Sequence, residues 1–267
     1  MDTVTATDAE YDNSAAVPEI DRISAVWQKK AAAFRDARGD RARLAIPYGA
    51  TPREKADLFL PDRAPEGLLI FVHGGYWRSR HRHDWSHFAA GALARGWAVA
   101  MPSYTLAPDA RISRITLQIA LAVVRLAEEV PDVPIRLVGH SAGGHLVARM
   151  RAADVMLPDA VAGRIARIVP ISPVSDLRPL LALAINEDLR LTPEEAAAES
   201  PALLPSARAF PAAVWVGGAE LPAFLDQARW LSDAWSAPLV IDADRHHFDV
   251  IDGLLEPDSA LMAALFE

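Results

Sequence analysis

The stretch Arg136-Leu137-Val138-Gly139-His140-Ser141-Ala142-Gly143-Gly144-His145-Leu146 decides the reading of this chain. Ile135 to Val138 is a mostly apolar, β-rich run that leads straight into Gly-x-Ser-x-Gly, and a helix-compatible run, His145 to Met150, follows. In such a strand–turn–helix context the serine sits on a sharp turn, its hydroxyl clear of the backbone and close to the first amides of the next helix. Gly139 and Gly143 leave room for the turn, because a side chain at either position would crowd the neighbouring strand and helix. Gly-x-Ser-x-Gly alone is a common pattern, so its meaning depends on partners elsewhere in the chain.

One partner stands in Leu68-Leu69-Ile70-Phe71-Val72-His73-Gly74-Gly75-Tyr76-Trp77, where a second buried-strand run ends in His-Gly-Gly. Acyl transfer places negative charge on a carbonyl oxygen and needs preorganised amide donors aimed at it. Ala142 N–H, next to the serine, supplies one donor, and a glycine-rich loop lets further amides approach closely. The two motifs supply different halves of one site.

A serine also needs a base and an acid, which in this kind of elbow follow it in the order serine, acid, histidine. His246 and His247, in Asp244-Arg245-His246-His247-Phe248-Asp249-Val250, are the histidines that follow a strand near the C-terminus. Without the elbow, a His-His pair reads as a solvated loop. The acid belongs on the turn Gly217-Gly218-Ala219-Glu220-Leu221-Pro222, where Glu220 is the sole carboxylate. A carboxylate there fixes the imidazole tautomer and stabilises the imidazolium; the competing reading is a glutamate favoured by the positive end of a helix dipole. Asp176, in Ser172-Pro173-Val174-Ser175-Asp176-Leu177, is the reserve acid, and Asp226 is a weaker one. The cluster His81-Arg82-His83-Asp84 with His87 looks superficially like a metal site, but no second block at ligand spacing accompanies it, and His83 and His87 fit one face of an opening helix. His140 and His145 flank the elbow and read as packing or loop-orienting groups. Tyr76, Trp77 and Trp85 read as core or as pocket lining.

Composition bounds the answer. The 267 residues, 51% hydrophobic and 23% charged, suit one large α/β domain. No apolar run reaches the ~18 residues a spanning helix needs. Met1 to Glu19 is acidic and polar, without the basic and apolar regions of a secretory signal, so a cytoplasmic location is expected. A net charge of −8 disfavours nucleic acid and anionic membrane as partners. The absence of cysteine excludes disulfides, thiolate metal sites and a cysteine nucleophile. A homodimer stays open.

Along the chain, residues 1–20 read as a tail and 21–267 as a single domain. Asp21 to Ala37 has helical spacing, and Ala42 to Tyr48 with Ala56 to Leu60 suit an antiparallel pair. Strand and helix then alternate: strands Leu68–Val72, Trp97–Met101, Ile135–Val138, Ile165–Ile171, Ala213–Val216 and Leu239–Ile241, with helices Trp85–Arg95, Ile112–Val130, Gly144–Ala153 and Ala223–Trp235 between them. Continuous apolar strands predict a mostly parallel sheet covered on both faces. Asp176 to Phe210 interrupts the alternation and is expected to be a short lid above the C-terminal edge of the sheet.

Taken together, these motifs resemble the α/β-hydrolase superfamily and, within it, the kynurenine formamidases (arylformamidases) and related small esterases. The resemblance rests on His73-Gly74-Gly75-Tyr76-Trp77, Pro102-Ser103-Tyr104-Thr105-Leu106-Ala107-Pro108, Gly139 to Leu146, Ser172 to Leu180, His247-Phe248-Asp249 and the opening Tyr11-Asp12-Asn13-Ser14 with Val17-Pro18. It implies Ser141 as nucleophile, His247 as base, and the amides of Gly75, Tyr76 and Ala142 as oxyanion donors. At the acid position Glu220-Leu221-Pro222 stands where formamidases usually have aspartate. The implied reaction is hydrolysis of N-formyl-L-kynurenine, a small-molecule amide, through an acyl-enzyme and without metal or organic cofactor; a carboxylesterase for short-chain or aryl esters shares the same catalytic groups. For a kynurenine-like substrate, Tyr76 and Trp77 are expected beside the aryl ring and Arg78 and Arg178 near the carboxylate. Some proteins on this fold bind without catalysis, but such chains commonly lose the serine or histidine, and both stand here.

Overall fold

The computed structural model describes residues 6–206 and 209–267. Met1 to Thr5 of the expected tail, and Ala207 and Arg208 of the expected lid, lie outside the described residues. Eight strands form one sheet: β1 Ala42–Pro47, β2 Lys55–Phe59, β3 Leu68–Val72, β4 Ala98–Pro102, β5 Ile135–His140, β6 Ile165–Ile171, β7 Val214–Gly217 and β8 Leu239–Asp242. Their order is β1-β2-β4-β3-β5-β6-β7-β8. β1 and β2 pair antiparallel, as does β2 with β4, and every other pairing is parallel.

The continuous apolar strands divide their side chains between two cores. Leu68, Ile70 and Val72 of β3 pack with Ile112, Ile115 and Ile119 from the long helix Ile112–Glu129. Leu69 and Phe71 point the other way, into a cluster with Trp27, Trp85, Phe88 and Leu261. Strand residues alternate between faces, so a run of five apolar residues implies cover on both sides, and both covers are present.

Parallel register then sets the site. Val72 lies opposite Gly139, His140 opposite Ile171, and Gly217 opposite Asp242. The His-Gly-Gly loop, the serine turn, the Glu220 turn and the His247 loop therefore leave the same edge of the sheet. That is the C-terminal edge, where open α/β sheets place their ligands.

Three local expectations change. The run Trp85–Arg95 is not one helix but 3-10 turns at Arg82–Asp84 and Ser86–Ala89 followed by a short helix at Ala90–Ala94. Arg35, from the helix Ile20–Arg38, donates to the carbonyl of His83 and to Ser86 Oγ, holding that turn in place. The helix after the serine begins at Ala142 and ends at Arg149, and Ala152 forms an isolated bridge with Ser206. Finally, residues 6–20 are not a loose tail. Short helices Asp8–Tyr11 and Asn13–Ala16 bury Tyr11 and Asn13, and Val17 is buried behind them.

Candidate active site

Ser141 stands between β5 and the helix Ala142–Arg149 with φ 57° and ψ −119°. Non-glycine residues rarely adopt such a backbone, and strain of this kind persists only where the surroundings over-determine it. Here they do. The Ser141 amide donates to Ile171 O at 2.8 Å and its carbonyl accepts from His145 N–H at 3.0 Å. A Cβ on Gly143 would lie 2.0 Å from Val72 O, and one on Gly139 would lie 2.2 Å from Gly143 O. Only glycine permits so close an approach of helix to strand, and that approach forces the turn.

His247 Nδ1 donates to Glu220 Oε2 at 2.6 Å, with both side chains buried. The other carboxylate oxygen, Glu220 Oε1, accepts from Gly217 N–H at 2.8 Å and from the hydroxyl of Ser172. His247 is fixed in turn by His140, whose Nε2 donates to the His247 carbonyl at 2.7 Å and whose ring lies 4.7 Å from the His247 ring. Burial holds the His140 pKa well below the usual imidazole value, followed by repulsion from His247, so this neighbour stays neutral and adds no competing charge. Phe224 closes the remaining face of His247 at 4.5 Å between ring centres.

The loop after β3 has positive φ at Gly75 (110°), Tyr76 (48°) and Trp77 (55°). A loop bent in this way carries its amides out of the strand ladder. Among the described residues, the amides of Gly75 and Tyr76 donate to no protein acceptor, while Gly75 O accepts from the amides of Arg78 and Ser79. The loop is braced from behind by Arg53, which donates to Tyr104 O at 2.7 Å and Arg80 O at 2.6 Å.

Ser141, His247, Gly75 and Tyr76 line a single cavity of about 550 Å³. Its far wall comes from Leu183, Ala184, Ile185 and Glu187, within the stretch expected to act as a lid, which is built from a 3-10 turn at Arg178–Ala182 and helices Asn186–Leu189 and Pro193–Ala198.

Several other assignments change. Asp176 does not meet His247: its carboxylate accepts from Arg178 Nε and NH2, at 3.0 and 2.6 Å, and from the Arg178 amide. Arg178 is thereby spent on Asp176 and does not line the cavity. Trp77 is also absent from the lining; its indole is fully buried and packs edge-on against His145. Arg78 lines the cavity but pairs with Asp188 at 2.6 Å. His83 faces Asp57 at 3.2 Å and Arg82 donates to the same buried carboxylate, so part of the histidine cluster serves a buried ion pair. His140 acts as the loop-orienting group read from its place beside the serine, whereas the sequence assigns Ser172 and Asn13, though they lie in quoted stretches, no role of their own; Ser172 has a weak signal in its Ser-Pro step after a strand.

Residues 69–228 match the family described as α/β hydrolase fold. The chain belongs to the α/β-hydrolase family. It is 28% identical over 235 residues to the kynurenine formamidase of Danio rerio, a match spanning 83% of this chain and 80% of that protein. Among solved structures it is 52% identical to a provisionally named thioesterase from Silicibacter sp. TM1040, covering 97% and 98% of the two chains with a TM-score of 0.93. Esterase B from Lactobacillus rhamnosis, at 17% identity, 95% and 92% coverage and a TM-score of 0.66, shares the fold. In this α/β hydrolase the buried Glu-His pair and the strained serine stand together at the C-terminal edge of the sheet. No described helix is long and apolar enough to cross a membrane.

Proposed function

We propose that this hydrolase works through Ser141, with His247 as base, Glu220 as its orienting acid and the amides of Gly75, Tyr76 and Ala142 around the oxyanion. The observation that carries this is the 2.6 Å Glu220–His247 hydrogen bond opening on the cavity that also holds the strained Ser141. With Nδ1–H committed to Glu220, the lone pair on His247 Nε2 is free to take the Ser141 proton. Oγ attacks the substrate carbonyl, and the oxygen that gains charge is met by amides already turned towards it. His247 returns the proton to the leaving nitrogen or oxygen as the bond to carbon breaks. Water, deprotonated by the same imidazole, then releases the acid and restores the serine.

For the substrate we favour an N-formyl arylamine of the N-formylkynurenine type. The sequence relationship to a kynurenine formamidase supports this, as do the aromatic side chains of Trp27, Tyr76, Trp85 and Phe248 along the cavity, which suit an aryl leaving group. A small carboxylesterase or thioesterase is the second reading, favoured by the 52% identical structure. A hydrolysis panel tests both. N-formylkynurenine should exceed p-nitrophenyl acetate in kcat/KM, with rates falling as the acyl chain lengthens to butyryl and hexanoyl; a preference for longer acyl esters or acyl thioesters would move the assignment to the second reading. Ser141→Ala should lower kcat by several orders of magnitude at unchanged thermal stability, and a fluorophosphonate should label Ser141 alone; an active preparation without that adduct would end the serine mechanism.

A further inference from the structure

Asn13 occupies a costly position for a carboxamide. It is only 4% exposed, it lines the cavity that holds Ser141 and His247, and neither its Nδ2 nor its Oδ1 has a hydrogen-bond partner. A buried amide left unpaired is unfavourable, and in a folded protein such a group calls for a reason.

The segment around it is held rigidly. Tyr76 Oη donates to Tyr11 O at 2.7 Å, Gln227 Nε2 donates to the Tyr11 hydroxyl at 3.1 Å, and Asp8 Oδ1 accepts from Ala184 N–H at 2.8 Å. The oxyanion-side loop, the helix Pro222–Trp235 and the lid stretch thus all grip residues 8–11. Asp12, next in line, is used up as a helix cap, accepting from the amides of Ser14 and Ala15 at 3.0 Å. Asn13 is left at the cavity wall with neither the donor nor the acceptor of its carboxamide paired.

The charges around it narrow what fits. Asp8, Asp12 and Glu187 bring carboxylates to the cavity wall. Of the cavity-lining cations, Arg78 is paired with Asp188, whereas Arg80 pairs with no carboxylate among the described residues. We infer that Asn13 is a specificity-determining residue that binds an α-amino-acid head on the substrate's leaving group, Nδ2 donating to the carboxylate and Oδ1 accepting from the ammonium. The inference rests on the aryl-amide reading above and names the far end of that substrate. Arg80 supplies the remaining charge for the carboxylate, the role that sequence alone assigned to Arg78 and Arg178.

Calorimetric binding of L-kynurenine and of 2-aminoacetophenone, the same aryl ketone without the amino-acid head, tests this without relying on turnover. Wild-type protein should bind L-kynurenine more tightly. Asn13→Ala should weaken L-kynurenine by about tenfold or more, since hydrogen bonds to charged groups are lost, and shift 2-aminoacetophenone by less than about threefold. Asn13→Asp keeps the acceptor and removes the donor, so it should also lose affinity for the headed ligand. Because the carboxamide has no partner in the protein, Asn13→Ala should melt no lower than wild type. For N-formylkynurenine the loss should appear chiefly in KM. Equal weakening of both ligands, or a lowered Tm, would make Asn13 a structural residue; no discrimination between the ligands by wild type, or no change on substitution, would overturn the proposal. The formamidase reading fails separately, if p-nitrophenyl acetate is cleaved and N-formylkynurenine is not.

Discussion

Glu220 accepts from three donors at once, the His247 ring, the Gly217 amide and the Ser172 hydroxyl. So many donors on a buried carboxylate leave it one orientation, and a glutamate, longer than the usual aspartate, needs that restraint to hold an imidazole. Glu220→Gln keeps the shape but stops accepting properly at Nδ1–H, favouring the wrong tautomer. It should lower kcat by about 10³- to 10⁴-fold with KM little changed, measured by steady-state kinetics. Asp176→Asn should leave kcat far closer to wild type and act on stability through the Arg178 pair; the opposite ranking would move the acid to Asp176. Backbone space is just as exacting. Gly143→Ala puts a methyl 2.0 Å from Val72 O, a backbone atom that cannot step aside. That variant should lose more than about 4 kcal/mol in urea unfolding or fail to accumulate folded protein.

Among the elements, the helix after Ser141 and the lid stretch are tied by charge in the interior. Arg149 is almost wholly buried and donates to Glu199 at 3.0 Å and Asp154 at 2.6 Å, while Thr116 Oγ1 donates to Glu199 at 2.7 Å. Arg149→Met removes the cation and leaves Glu199 buried without its partner, which should cost about 3–5 kcal/mol in denaturant melts. A second element-level property is acid sensitivity. Burial pushes His73 and His145 down to about 3, and holds His140 well below its ordinary value. Between pH 6.5 and about 3 the unfolded chain therefore binds protons at these histidines that the folded chain refuses. Stability rises with pH across that window and is lost as pH falls through it, by about 1.4 kcal/mol per pH unit for each fully neutral buried histidine. Urea unfolding at pH 7 and pH 5 should show this loss, and His145→Gln should flatten the slope by close to one proton; a stability that does not fall on acidification would contradict it.

Across the whole molecule, legibility followed the range of the forces involved. The strands Leu68–Val72 and Ile165–Ile171 were read to the residue because a continuous apolar run is a local signal, and parallel order followed from their alternation with helices. That Ser141, Glu220 and His247 stand together was readable because each follows a strand that parallel register aligns at one edge. What sequence could not give depended on partners far along the chain. Trp77 is core because His145 packs against it, Arg178 is unavailable because Asp176 holds it, and the broken helix near Trp85 answers to Arg35. Residues 6–20 looked like a tail for the same reason: Tyr11 and Asp8 find their partners in Gln227 and Ala184, some 216 and 176 positions away. Distance of that kind has a temporal side. Tyr11 leaves the ribosome long before Gln227 exists, and closing so long a loop comes after local contacts have formed. Residues 8–11 are thus among the last to find their seat, and until then the pocket lacks one wall.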